Sequence, residues 1–235
     1  MPESPSDAAA RSPEPAAPQS PDPEAFARAL AACGVDLPPP QQQRLLEYCH
    51  LLWQWNRRLN LTRHTTYETF AARDVVDSLA FARHLDPGES VLDVGSGGGV
   101  PGVVLAIVRP DLKLTLVDSA GKKVRAVQDI CRRLGLPLPV RHEKAQRLLE
   151  QGEAFDTLVV RAVARLDVLL EWFNPYWGAF QRMLVLKGPR WLEERKKARE
   201  RRLILHLQLR RLETYRTPGT GAESVLLQLR PKEPR

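Results

Sequence analysis

Apolar residues recur at helical spacing along the first third of the chain. Leu45, Cys49, Leu52, Trp53 and Leu59 predict an amphipathic helix over 41–59, and Phe70, Val75, Leu79 and Ala82 continue the same period farther on. A shorter helix is expected before them, opened by Asp22-Pro23-Glu24 and stopped at Gly34. The pattern changes at Pro87-Gly88, a turn signal. Beyond it, short apolar runs at 90–94, 113–118, 139–142, 155–160, 180–186, about 205–213 and 224–229 predict strands, with helical stretches between most of them.

Strand and helix in alternation indicate a parallel sheet with helices on both faces. The last two strands are joined by Thr217-Pro218-Gly219-Thr220-Gly221, too short for a crossover helix, so they are expected to pair as an antiparallel hairpin. The arrangement resembles the seven-stranded, mostly parallel sheet of the Rossmann-like class I S-adenosylmethionine methyltransferases, whose final strand runs antiparallel. The expected fold is therefore α/β, with a helical N-terminal region over 24–89 and a Rossmann-like domain over 90–235.

Composition adds a tail and a charge. Residues 1–23 are rich in Pro, Ser, Ala and acids and hold no aromatic or β-branched side chain, so they cannot bury enough apolar area to offset ordering; a disordered tail is expected. The tail lacks the form of a signal peptide, and no later run approaches the roughly 18–20 apolar residues of a membrane span, so a cytoplasmic protein is expected. The chain carries +7; residues 1–24 hold five acids against one base, which leaves +11 for the rest. So basic a body suits a polyanionic partner, nucleic acid first, although solvation alone would look the same. Cys33, Cys49 and Cys131 are widely spaced without a C-x-x-C pair, which argues against a disulfide framework or a thiolate zinc site.

The chemistry concentrates in Val91-Leu92-Asp93-Val94-Gly95-Ser96-Gly97-Gly98-Gly99-Val100-Pro101-Gly102, a strand, a glycine-rich turn and a helix start. Two cofactor readings compete. Gly97, Gly99 and Gly102 satisfy G-x-G-x-x-G, which would seat a dinucleotide pyrophosphate and make the chain an NAD-dependent oxidoreductase. Asp93 before Gly95, Gly97 and Gly99 instead forms D-x-G-x-G-x-G, the class I methyltransferase pattern, in which the acid organises the turn and the methionine end of the cofactor. A phosphate site has little use for a carboxylate there. Asp118 ends the second strand, where it could accept hydrogen bonds from ribose hydroxyls of either cofactor.

The target atom is approached by exclusion. An N-P-P-Y-type motif for exocyclic amines is missing after the fourth strand, where Arg161-Ala162-Val163 stands; Asn174-Pro175-Tyr176-Trp177 comes too late and reads as a turn. Neither Cys49 nor Cys131 is placed to attack a pyrimidine, and the five histidines lack metal-ligand spacing, so no metal is expected. Guanine N7 has a free lone pair and loses no proton on methylation, so a site without a general base would suit it.

Together these segments resemble the bacterial small-subunit rRNA guanine-N7 methyltransferases, the glucose-inhibited division protein B family. The likeness runs from about Tyr48 to Leu229 through Asn60-Leu61-Thr62, Asp77-Ser78-Leu79, the glycine loop with its Gly99-Val100-Pro101-Gly102 ending, Ile107-Val108-Arg109-Pro110, Asp118-Ser119 with Lys122-Lys123, Arg161-Ala162 and Lys187-Gly188. The resemblance implies methylation of one guanosine in the 530 loop of 16S rRNA, as naked RNA or in the assembling small subunit, by a protein expected to be a monomer. It also implies S-adenosylmethionine contacts at Gly95, Val100, Ala145, Gln146 and Arg161, the last a candidate for positioning cofactor or guanine. The family usually has Glu where Gln146 stands, His where Asp74 stands and Ser where Val160 stands. Lys122, Lys123, Arg125 and Lys187 are candidate RNA contacts, as is a basic arm over 190–211 that includes Arg195, Lys196 and Lys197. A non-catalytic RNA-binding module on the same shell is the other reading of this charge.

Overall fold

A computed structural model describes residues 21–232; the tail expected over 1–23 lies outside them up to residue 20. α1 (Pro23–Ala32) starts where Asp22 accepts the Ala25 N–H at 2.9 Å and Pro23 occupies the first turn. α2 (Pro39–Asn56) buries Leu45, Tyr48, Cys49 and Leu52. It ends three residues earlier than expected, because the Asn56 carboxamide oxygen accepts the N–H groups of Leu61 and Thr62, at 2.8 and 2.9 Å, and folds the following loop back. The next helix opens on Thr66 as α3 (Tyr67–Thr69), widens into a π-helical stretch over Phe70–Val75 and closes as α4 (Val76–Ala82). Periodicity predicted this segment as helix but not its π turns, which often mark functional sites.

Seven strands follow: β1 (Ser90–Val94), β2 (Lys113–Asp118), β3 (Val140–His142), β4 (Phe155–Arg161), β5 (Phe180–Lys187), β6 (Leu207–Arg216) and β7 (Glu223–Pro231). They lie in the order β3-β2-β1-β4-β5-β7-β6, parallel except that β7 runs antiparallel to both neighbours. The expected terminal hairpin and the class I sheet order are therefore both present. Between the strands stand α5 (Gly102–Val108), α6 (Gly121–Arg133), α7 (Ala145–Glu150), α8 (Leu166–Phe173) and α9 (Trp191–Glu200). The chain runs outward from β1 to β3 and then resumes at β4 on the other side of β1, so a crevice opens at the carboxyl ends of β1 and β4.

Alternate strand residues feed two cores, as the pleat requires. Val91, Leu116, Val159 and Leu184 pack with α5, α6 and the N-terminal helices, including Leu45, Leu52 and Phe70. Leu92, Leu158, Val185 and Leu227 pack with α7, α8 and α9 on the opposite face. The N-terminal helical region thus shares a core with the sheet and forms one wall above its carboxyl edge.

Candidate active site

The glycine turn is tied down by backbone donors. The N–H groups of Gly95 and Ser96 donate to the Val117 carbonyl at 2.8 and 3.0 Å, and Gly97 N–H donates to Asp118 Oδ2 at 2.9 Å. The other Asp118 oxygen accepts from Ala120 N–H at 2.8 Å. Asp93, almost fully buried under the turn, accepts Gly102 N–H at 2.9 Å; a Cβ on Gly102 would lie 2.6 Å from that same oxygen. Acid and glycine therefore require each other. Gly99, with φ of +100°, packs the turn onto α5: its Cβ would sit 2.7 Å from a Val103 methyl.

Burial pushes the Asp93 carboxyl up to about 7, and the neighbouring Asp118 charge adds to it, against the lowering effect of Gly102 N–H and Arg161. Asp93 Oδ1 and the Ser96 hydroxyl are buried without a hydrogen-bond partner among the described residues. Unused acceptors beneath a glycine turn fit a cofactor that brings a cationic amino group, as the methionine end of S-adenosylmethionine does.

Above the turn lies a cleft of about 1480 Å³. Gly95, Gly97, Val100, Asp118, Ala145, Gln146 and Arg161 line it, as do Lys123 and Lys187. Asp93 and Gly99 do not; they act from beneath. Lys122 and Arg125 are exposed on α6 away from the lining. Of α9 only Glu194 reaches the cleft, so Arg195, Lys196 and Lys197 stand outside it. Lys187 is not free for RNA, because its ammonium pairs with Glu194 at 2.9 Å and donates to the Ala164 carbonyl.

Arg161 is held by acids. Its Nε donates to Asp77 at 2.9 Å and one terminal nitrogen to Asp74, also at 2.9 Å. The same Asp74 oxygen bonds His64 Nδ1 at 2.9 Å, and Tyr215 donates its hydroxyl to Asp77 at 2.6 Å. Arg161 therefore has a structural role as well as a place in the cleft: its fork joins β4 to the π-helical stretch and α4. Both buried cysteines are far from thiolate chemistry, since burial pushes Cys131 up to about 12 and Cys49 well above the usual thiol range. Asn174–Tyr176 is a 3-10 turn after α8, as expected.

Several cleft residues escaped sequence reasoning. The loop after α2 contributes Asn60, Thr62, Arg63 and His64, and Arg73, Lys144, Arg165 and Trp172 complete the walls. Asn60-Leu61-Thr62 belonged to the resemblance, and that was the signal available; the others are brought in by folding alone.

A family model described as rRNA small subunit methyltransferase G matches residues 41–220. The ribosomal RNA small subunit methyltransferase G of Rhodopirellula baltica is 42% identical over 190 residues, covering 81% of this chain and 82% of that protein. The protein of the same description from Francisella philomiragia is 34% identical, covering 89% and 98%. Among solved structures, TrmK from M. capricolum in complex with S-adenosyl-homocysteine superposes with a TM-score of 0.53 at 9% identity, covering 66% of this chain and 68% of that one. TrmN from Thermus thermophilus gives 0.52 at 17%, covering 67% and 48%. At such identities these two speak for the fold alone. The extent of the family match and the identity to the curated relatives decide the rest: this chain belongs to the rRNA small subunit methyltransferase G family.

Proposed function

We propose that the protein methylates N7 of a guanosine in the 530 loop of 16S rRNA, with S-adenosylmethionine as donor. The observation that carries this reading is the cleft of about 1480 Å³ at the carboxyl edge of the sheet, lined by the glycine turn and by cationic side chains. The cofactor supplies a methyl group already activated by its sulfonium. Gly95, Gly97 and Val100 receive it along the turn, Asp93 and Ser96 offer acceptors to its amino end, Asp118 meets the ribose, and Ala145 with Gln146 meets the adenine. Arg161 holds the wall against which the guanine is aligned, kept in place by Asp74 and Asp77. The N7 lone pair needs no proton removed, so alignment and exclusion of water are the work of the site. The reaction belongs in the cytoplasm, on rRNA or the assembling subunit, and the protein acts as a monomer.

The test is to map 7-methylguanosine in 16S rRNA from cells with and without this gene. The modification in the 530 loop is expected to vanish on deletion and return on complementation. An unchanged methylation map sinks the assignment.

A further inference from the structure

Of the five tryptophans, four are accounted for by the fold. Trp53, Trp55 and Trp177 donate their indole N–H groups to His64 O, Asp129 and Asn174 at 2.7, 2.9 and 3.0 Å, and Trp191 is buried against the sheet. Trp172 differs in every respect. It is 39% exposed, belongs to neither core, has no partner for its N–H among the described residues, and lines the cleft. α8 is already anchored by Leu166, Leu169, Leu170 and Phe173, so the fold does not need this ring.

We propose that Trp172 is a stacking platform for an unpaired base of the RNA substrate, one that flanks the target guanosine. The proposal rests on the reading of the chain as an rRNA methyltransferase. Unpaired bases present flat π-faces, and proteins that recognise single-stranded RNA stack them on aromatic side chains beside a cationic track. The track is present: Arg63, Lys123 and Lys144 line the same cleft, and among the described residues none of their side-chain cations is paired with a carboxylate. An apolar protein segment is a poorer occupant, since the other exposed large hydrophobics, Leu192 and Leu205, do not line the cleft, which leaves the ring without a surrounding apolar patch.

Topology separates this ring from the target. The ribose acid Asp118 ends β2, the glycine turn follows β1, and α8 follows β4 on the other side of β1. A guanine brought to the methyl group stands over the crevice between β1 and β4. A ring carried by α8 then meets a neighbouring nucleotide. Arg165 begins the same helix with its guanidinium forked onto Asp167 at 3.0 and 2.9 Å, which fixes the wall beside it.

The test uses the full chain, saturating S-adenosylmethionine and an RNA hairpin containing the 530 loop. Trp172→Ala and Trp172→Leu are expected to raise the KM for RNA roughly 5- to 150-fold, the range for loss of one stacked base, with kcat and cofactor affinity unchanged. Trp172→Phe keeps a ring and should stay near wild type. Abasic substitution on either side of the target should weaken wild-type binding at one position, and at that position Trp172→Ala should be indifferent. Leu performing as well as Phe, or equal abasic penalties in both proteins, overturns the stacking role while leaving the methyltransferase reading intact. A wild-type protein that methylates neither the hairpin, nor 16S rRNA, nor the small subunit removes both.

Discussion

A single buried acid sets the chemistry beneath the glycine turn. Asp93 is shut off from water and carries its carboxyl at about 7, so the folded chain holds a proton that the unfolded chain releases once pH passes the usual carboxylate range. Folded-state proton binding in excess means that stability falls as pH rises from about 4 to 7 and stays lowered above, by on the order of 4 kcal/mol. Asp93→Asn cannot ionise. Urea titrations should therefore show the variant gaining on wild type between pH 5 and pH 8, while calorimetry shows at least tenfold weaker S-adenosylmethionine binding from loss of the carboxylate. An equal pH dependence in both proteins would mean that Asp93 is charged in the folded state throughout. The D-x-G-x-G-x-G spacing made Asp93 visible in the sequence; its burial and its bond to Gly102 came only with the packing of β1 against α5.

At the scale of elements, the cations divide into those that line the cleft and those that a charge count merely gathers. α9 turns Trp191 and Ala198 inward and sends Glu194 to Lys187, which leaves Arg195, Lys196 and Lys197 outside the cleft. Lys196 is also within 3.9 Å of Glu200. Replacing Arg63, Lys123 and Lys144 together by Ala is expected to lower the slope of log affinity against log salt by about 2, from three phosphate contacts at roughly 0.7 each. The corresponding Arg195, Lys196, Lys197 variant should change the slope less. The opposite ranking, measured by filter binding across salt concentrations, would move the RNA path onto α9. Run-length reasoning located β1 and β2 at their observed bounds, because each is a short, mainly apolar or β-branched run set off by turn residues. It missed the end of α2, since a carboxamide cap from Asn56 leaves no trace in the apolar period.

Over the whole molecule, the N-terminal helices are continuous with the sheet. Leu45, Leu52 and Phe70 share a core with Val103, Leu116 and Ile130, and the Arg161 fork ties β4 to the π-helical stretch and α4. The two regions are therefore expected to unfold together: far-ultraviolet circular dichroism and tryptophan fluorescence should give coincident urea transitions. Separated transitions would show that the helical region folds apart from the sheet, despite the shared core.

Local rules were enough for the strand sequence, the antiparallel hairpin and the position of the glycine turn, because each depends on residues close together in the chain; the family came from the resemblance of short motifs to a known one. Periodicity, loop length and a glycine-acid spacing carry that information without any long-range contact. The walls of the cleft depended on tertiary structure. His64, Asp74, Asp77, Arg161 and Tyr215 are dispersed over some two thirds of the chain, and only the packing of α4, β4 and β6 puts their charges within hydrogen-bond distance. The same holds for the lysines: charge is a property of a residue, but whether Lys187 is free for RNA or spent on Glu194 depends on which side chain the fold brings beside it.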